Sequence, residues 1–95
     1  MNKIDDLGMV LIPKKIRDPL GWEKGDIIEL TPNVKEKSLS VRLASSNSKN
    51  KYVIDELSRI KIPKKILDRL GWGYANTLEH TVIESNNSIC MMKVE

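Results

Sequence analysis

The apolar positions of this chain fall in short runs, and the runs recur. Residues 9–12, Met-Val-Leu-Ile, are β-prone and stop at Pro13. Ile60-Lys61-Ile62 stops in the same way at Pro63. Proline at the first helical position sacrifices no hydrogen bond, because that N–H has no partner within a helix. Each run therefore predicts a strand leading straight into a helix. The helices are short. Ile16 and Leu20 stand four apart on one face, as do Ile66 and Leu70. Gly21 and Gly71 supply the stop, and Trp22 and Trp72 follow as the apolar contact that seals a helix end. Pro19 removes the bond back to Lys15, which predicts a first helix looser or shorter than the second.

Further strands are expected at 26–31 and 77–83 from β-branched content. Another is expected at 38–43 from alternation of polar and apolar residues, with a less regular counterpart at 88–94. Opening strands at 2–5 and 51–55 complete a ββαββ pattern in each half. The expected class is mainly β with short helices. About eight short strands and two helices suit a small interlocked barrel.

The halves are versions of one another. Shifted by fifty positions, Ile4–Trp22 falls on Ile54–Trp72 with twelve of nineteen residues identical. This reads as a duplication, with copies at 1–44 and 51–95. Between them, residues 45–50, Ser-Ser-Asn-Ser-Lys-Asn, have the composition of a flexible linker. A copy of under fifty residues is too small for a good core. The two are therefore expected to pack on each other as one pseudo-twofold domain.

Alternation sorts the pre-helix strands into faces. Val10 and Ile12 point one way, Met9 and Leu11 the other; Ile60 and Ile62 point one way, Arg59 and Lys61 the other. The shared apolar face is core. The outer face is basic in the second copy and apolar in the first. Arg59, Lys61, Lys64, Lys65 and Arg69 place five basic residues within eleven positions, interrupted only by Asp68. Lys14, Lys15 and Arg17 form the corresponding set beside Asp18. Such sets serve either as a solvated face or as a phosphate footprint, with lysines neutralising phosphates and arginines able to read guanine edges. Aromatic residues do not interleave with them, which favours duplex over single strands. Met9 and Leu11 have two readings: tucked against a neighbouring strand, or a patch for a second chain.

Composition narrows the remaining chemistry. The chain has 95 residues, 31% of them charged, and a net charge of +3, which permits a nucleic-acid partner without requiring one. No apolar run suits a membrane span, and the N-terminus has no signal-peptide core, so a cytoplasmic location is expected. A lone cysteine, Cys90, excludes an internal disulfide and a multi-cysteine zinc site. His80, the only histidine, shares a strand face with Leu78 and Val82 and reads as a partly buried structural residue rather than a metal ligand. Asp5/Asp6 and Asp55/Glu56 are adjacent on extended segments, so their side chains diverge and they read as turn and ladder residues. No catalytic set, metal site or cofactor is expected. Gly8 and Gly25 read as positive-φ turns; opposite Gly25 stands Ala75, whose neighbour Asn76 is expected to take the left-handed conformation.

The string Ile4-Asp5-Asp6-Leu7-Gly8, then Val10 to Arg17, then Leu20-Gly21-Trp22-Glu23-Lys24-Gly25-Asp26 closely resembles the AbrB/SpoVT/MazE family of swapped-hairpin DNA-binding domains. The second copy carries the motif more loosely. The resemblance implies two ββαββ halves that exchange hairpins into one barrel. Most members take the halves from two chains; here one chain holds both. It also implies transcriptional regulation through operator DNA. The family's arginine after the Leu-Gly turn is matched by Arg59 but not by Met9, and its helix arginine by Arg17 but not by Leu67. Asp18 and Asp68 stand where some members carry another arginine. The resulting expectation is a regulator that binds double-stranded DNA through Lys14, Lys15, Arg17, Arg59, Lys61, Lys64, Lys65 and Arg69, with the second copy dominant. The alternatives are a MazE-like antitoxin and a protein-interaction module that forms a homodimer or higher oligomer through Met9 and Leu11. The antitoxin reading is not favoured, because the second copy occupies the chain to Glu95 where a toxin-masking tail is expected. In duplex-binding titrations Arg59→Ala is expected to weaken affinity more than Lys14→Ala; equal losses contradict a dominant second copy.

Overall fold

The structure is a computed structural model that describes residues 2–94. The chain runs β1 (Met9–Leu11), α1 (Lys14–Arg17), β2 (Ile27–Asn33), β3 (Ser38–Leu43), β4 (Lys51–Val53), β5 (Arg59–Lys61), α2 (Lys64–Leu70), β6 (Leu78–Ile83) and β7 (Ser88–Lys93). The class is mainly β with two short helices.

The strands form two open sheets rather than a closed barrel. One is a two-stranded antiparallel ribbon of β1 and β5; the other has five strands in the order β4-β2-β3-β7-β6. Closure stops at the edges. β4 covers only residues 27–29 of β2, and β6 takes a single bridge, Lys3 to Thr77, at its start. The opening segment of the first half is thus too short for an eighth strand. It is nonetheless anchored, with Ile4 N–H donating to the Asn76 carbonyl and Ala75 N–H to that of Ile4. The second half mirrors this: Ile54 N–H donates to Asp26, and Gly25 N–H to Ile54. Each half's opening segment pairs with the other half.

The helices follow the same crossing, with α1 against β6 and α2 against β2. Pro19 has the expected effect. α1 ends after four residues and continues as a 3-10 turn, Asp18–Leu20, whereas α2 runs uninterrupted for seven. Its Ile66 and Leu70 are buried; their counterparts Ile16 and Leu20 are only partly so. The 3-10 turn and α2 each end at a left-handed glycine followed by a tryptophan whose N–H bonds back to the Arg17 or Leu67 carbonyl. That bond spans the last turn and satisfies a carbonyl left free there.

One core joins the sheets. Val10, Ile12, Ile60 and Ile62 are all 0% exposed, and they meet the row Leu30–Val41–Ile89 across β2, β3 and β7. Trp22 and Trp72 close its flanks. Residues 45–50 are not a free tether: Ser45 and Ser48 form a turn, and the Ser48 hydroxyl donates to Glu29 Oε2 at 2.6 Å.

Positive-φ positions recur at a spacing of fifty among the described residues: Gly8 with Ser58, Gly21 with Gly71, Gly25 with Ala75, Lys37 with Asn87. At the third pair the expectation for Asn76 fails. Ala75 itself adopts φ 70°, while the Asn76 side chain accepts a hydrogen bond from Gly73 N–H at 2.7 Å. The bond positions Asn76 as the turn's acceptor and leaves the left-handed step to alanine, at a steric cost of about 1–2 kcal/mol. Ala75→Gly is therefore expected to raise stability by about 0.5–1 kcal/mol after glycine's extra chain entropy is subtracted. A urea midpoint that does not rise contradicts this.

Candidate nucleic-acid interface

The ribbon presents its outer face to solvent because its inner face is fully committed to the core. Met9 stands opposite Lys61 and Leu11 opposite Arg59, with the buried Val10–Ile60 pair between them. A basic strand and an apolar strand thus lie side by side. Leu11 remains 41% exposed, so it borders the basic residues rather than tucking under a neighbour. His80 Nε2 lies 3.2 Å from the Leu11 carbonyl oxygen and ties β6 to the end of β1. Burial pushes the imidazole below its ordinary value, an effect the Leu11 contact opposes.

Two aspartate turns hold the ribbon's entrance. Asp5 Oδ1 accepts from the N–H groups of Leu7 and Met9 at 2.8 and 2.9 Å. Asp55 Oδ1 accepts from Leu57 and Arg59 at 2.9 and 2.8 Å. The tips of these turns expose Leu7 and Leu57. Arg59 Nε donates to Asp55 Oδ2 at 3.0 Å, and its Nη1 lies 3.8 Å from Asp5 Oδ2. The guanidinium is thus held between carboxylates of both halves. Its removal would leave two negative groups on this face. The i,i+4 spacing of Asp55 and Arg59 was a visible signal for the first contact; nothing local indicated Asp5.

The other basic residues divide into three groups. Lys61 donates through Nζ to the Leu7 carbonyl and shares a cleft with Asp6, Leu7 and Lys64. Lys64 pairs with Asp68 at 3.1 Å, both largely exposed. That contact adds little stability, because water screens it. Arg17 is turned inward, its Nε donating to the Ile12 carbonyl at 3.0 Å. Lys14, Lys15, Lys65 and Arg69 are exposed and make no ion pair among the described residues. Lys15 borders a separate cleft beside Glu79 and His80. Neither helix start has a side-chain cap, and each begins with two lysines, charges that a helix N-terminus disfavours.

No three His, Cys, Asp or Glu side chains among the described residues gather as a metal site, and no helix is long and apolar enough to cross a membrane. The aspartate turns yield a test. The Met9 amide is the main influence holding the Asp5 carboxyl below its ordinary value of 3.8. At Asp55, desolvation pulls upward, but the Arg59 amide, its guanidinium and the Leu57 amide outweigh it and lower the value. A depressed carboxylate stabilises the fold above its unfolded pKa, and this is lost as pH falls through the folded one. Urea midpoints should therefore drop below about pH 4, and Asp5→Asn with Asp55→Asn should flatten that drop. An unchanged pH profile in the double variant contradicts the assignment.

A family model described as "Antidote-toxin recognition MazE, bacterial antitoxin" matches residues 1–48. No curated protein and no solved structure matches the chain. The matched region holds the first aspartate turn, β1, the Pro13 step, α1 and the β2–β3 hairpin, about half of the 95 residues. On that match the chain belongs to the MazE antitoxin family.

Proposed function

We propose that the chain is a transcriptional regulator that binds duplex DNA with the outer face of the β1–β5 ribbon and the adjoining helix starts. In this reading 1–44 and 51–95 are two swapped-hairpin repeats joined at 45–50, and they form one pseudo-twofold domain. Its place of action is the cytoplasm. The observation that carries the reading is the retention of paired lysines, Lys14-Lys15 and Lys64-Lys65, at both helix starts where they oppose helix stability. A two-stranded ribbon also has the dimensions that a major groove admits.

The phosphate contacts of such a face dominate affinity and release counterions, each adding about −0.9 to the log–log salt dependence. Binding of the purified chain to duplexes across a salt series should show a slope of roughly −3 to −6. Lys14→Ala together with Lys65→Ala should reduce its magnitude by about 2. No binding at low salt, or a flat slope, contradicts the reading.

A second reading follows from the family description, which names antidote–toxin recognition. Here the exposed apolar residues Leu7, Leu11 and Leu57 would contact a toxin. Co-expression with a toxin-like product of a neighbouring reading frame tests it. Neutralisation lost on Leu57→Glu but kept on Lys14→Ala supports it, and absence of any complex rejects it.

A further inference from the structure

We infer, resting on the DNA reading above, that the site this chain recognises is non-palindromic. Strand β5 presents Arg59 and Lys61 to a guanine-bearing half, and strand β1 presents Met9 and Leu11 to a thymine-bearing half.

The inference rests on which positions differ between the halves. A rotation about the Val10–Ile60 pair carries Arg59 onto Met9 and Lys61 onto Leu11, the residues related by the shift of fifty. The lysines at the helix starts are unchanged by the same operation, Lys14 and Lys15 mapping onto Lys64 and Lys65. Backbone contacts fix where a protein sits on a duplex, whereas groups on a groove-facing ribbon meet base edges. The lysine pairs at the helix starts are therefore symmetric and the ribbon residues are not.

The chemistry of each strand assigns its half. Arg59 is held by Asp55 at Nε, and its Nη1 lies in a looser ion pair 3.8 Å from Asp5 Oδ2, so the Nη nitrogens carry no hydrogen bond among the described residues. A guanidinium so oriented offers its donors to the paired acceptors on the guanine edge. Met9 and Leu11 offer no hydrogen bond, and the major-groove feature that rewards an apolar contact is the thymine methyl. The inner face cannot supply an alternative, since Val10 and Ile60 are 0% exposed. Two identical chains would impose identical halves, but a chain carrying both is free of that constraint.

Selection of bound duplexes from a random pool, using the full chain, tests the inference. The expected consensus has a guanine-bearing half and a different, thymine-bearing half at symmetric distances from the centre. Met9→Arg with Leu11→Lys gives the first half the residues of the second, and its consensus should become palindromic. A test needing no variant replaces thymine by deoxyuridine in the selected site, which removes the methyl alone. About fourfold weaker binding is expected per contacted methyl, with no change for the same replacement in the guanine-bearing half. A palindromic wild-type consensus, or indifference to the missing methyls, overturns the inference while leaving duplex binding in place. No enrichment together with a flat salt dependence removes the DNA reading, and the inference with it.

Discussion

The pairing of β1 with β5 is the interaction on which the rest of the molecule depends. It spans three residues on each strand and joins the two halves of the chain. Ile12 N–H donates to the Ser58 carbonyl at 2.8 Å, and Ile62 N–H to that of Gly8 at 2.9 Å, so the pairing is closed at both ends. Four wholly buried branched side chains stand on its inner face. At about 1.5–3 kcal/mol each, their gross contribution rivals the whole net stability of a small domain, roughly 5–15 kcal/mol. Gly8 illustrates how tightly the strands meet: a Cβ there would lie 3.1 Å from the Ile62 carbonyl oxygen.

The candidate site follows from that commitment. A two-stranded ribbon has only two faces, and the core takes one of them. The outer face can therefore vary without disturbing the fold, and there the halves differ in charge, Met9 and Leu11 against Arg59 and Lys61. Variation in the helices carries structural consequences instead. Pro19 shortens α1, and Arg17 bonds to the Ile12 carbonyl where its counterpart Leu67 packs against the core.

Element order and core membership were legible because both depend on local periodicity. The Pro13 and Pro63 steps, the Ile66–Leu70 spacing and the glycine–tryptophan helix ends all have short-range causes. Features set by distant partners were not. The opening segment shrank to one bridge because the length of pairing available at Thr77 is a tertiary matter. Residues 45–50 have a linker's composition, yet Glu29 accepts from Ser48 and holds the turn. The pattern suggested asparagine at the left-handed step, but Asn76 was occupied by Gly73 and alanine took it. Within the site, the basic residues were visible as a cluster, and the i,i+4 pair of Asp55 and Arg59 with them, but the longer-range pairings were not. Arg59 against Asp5, and Lys61 on the Leu7 carbonyl, require the two halves to be packed together first.

The crossed pairing of the halves also governs when the chain can fold. Every contact that completes the first half's core comes from later in the sequence: β1 waits for β5, β2 for β4, and Lys3 for Thr77. Synthesis proceeds from the N-terminus, so the β2–β3 hairpin can form early while Val10 and Ile12 have nothing to cover them. Contacts of such long sequence separation slow folding, because the intervening chain must be ordered before they form. The first half therefore passes through a period of exposed apolar surface on the ribosome, and a fragment that stops short of Arg59 can cover it only by pairing with another chain.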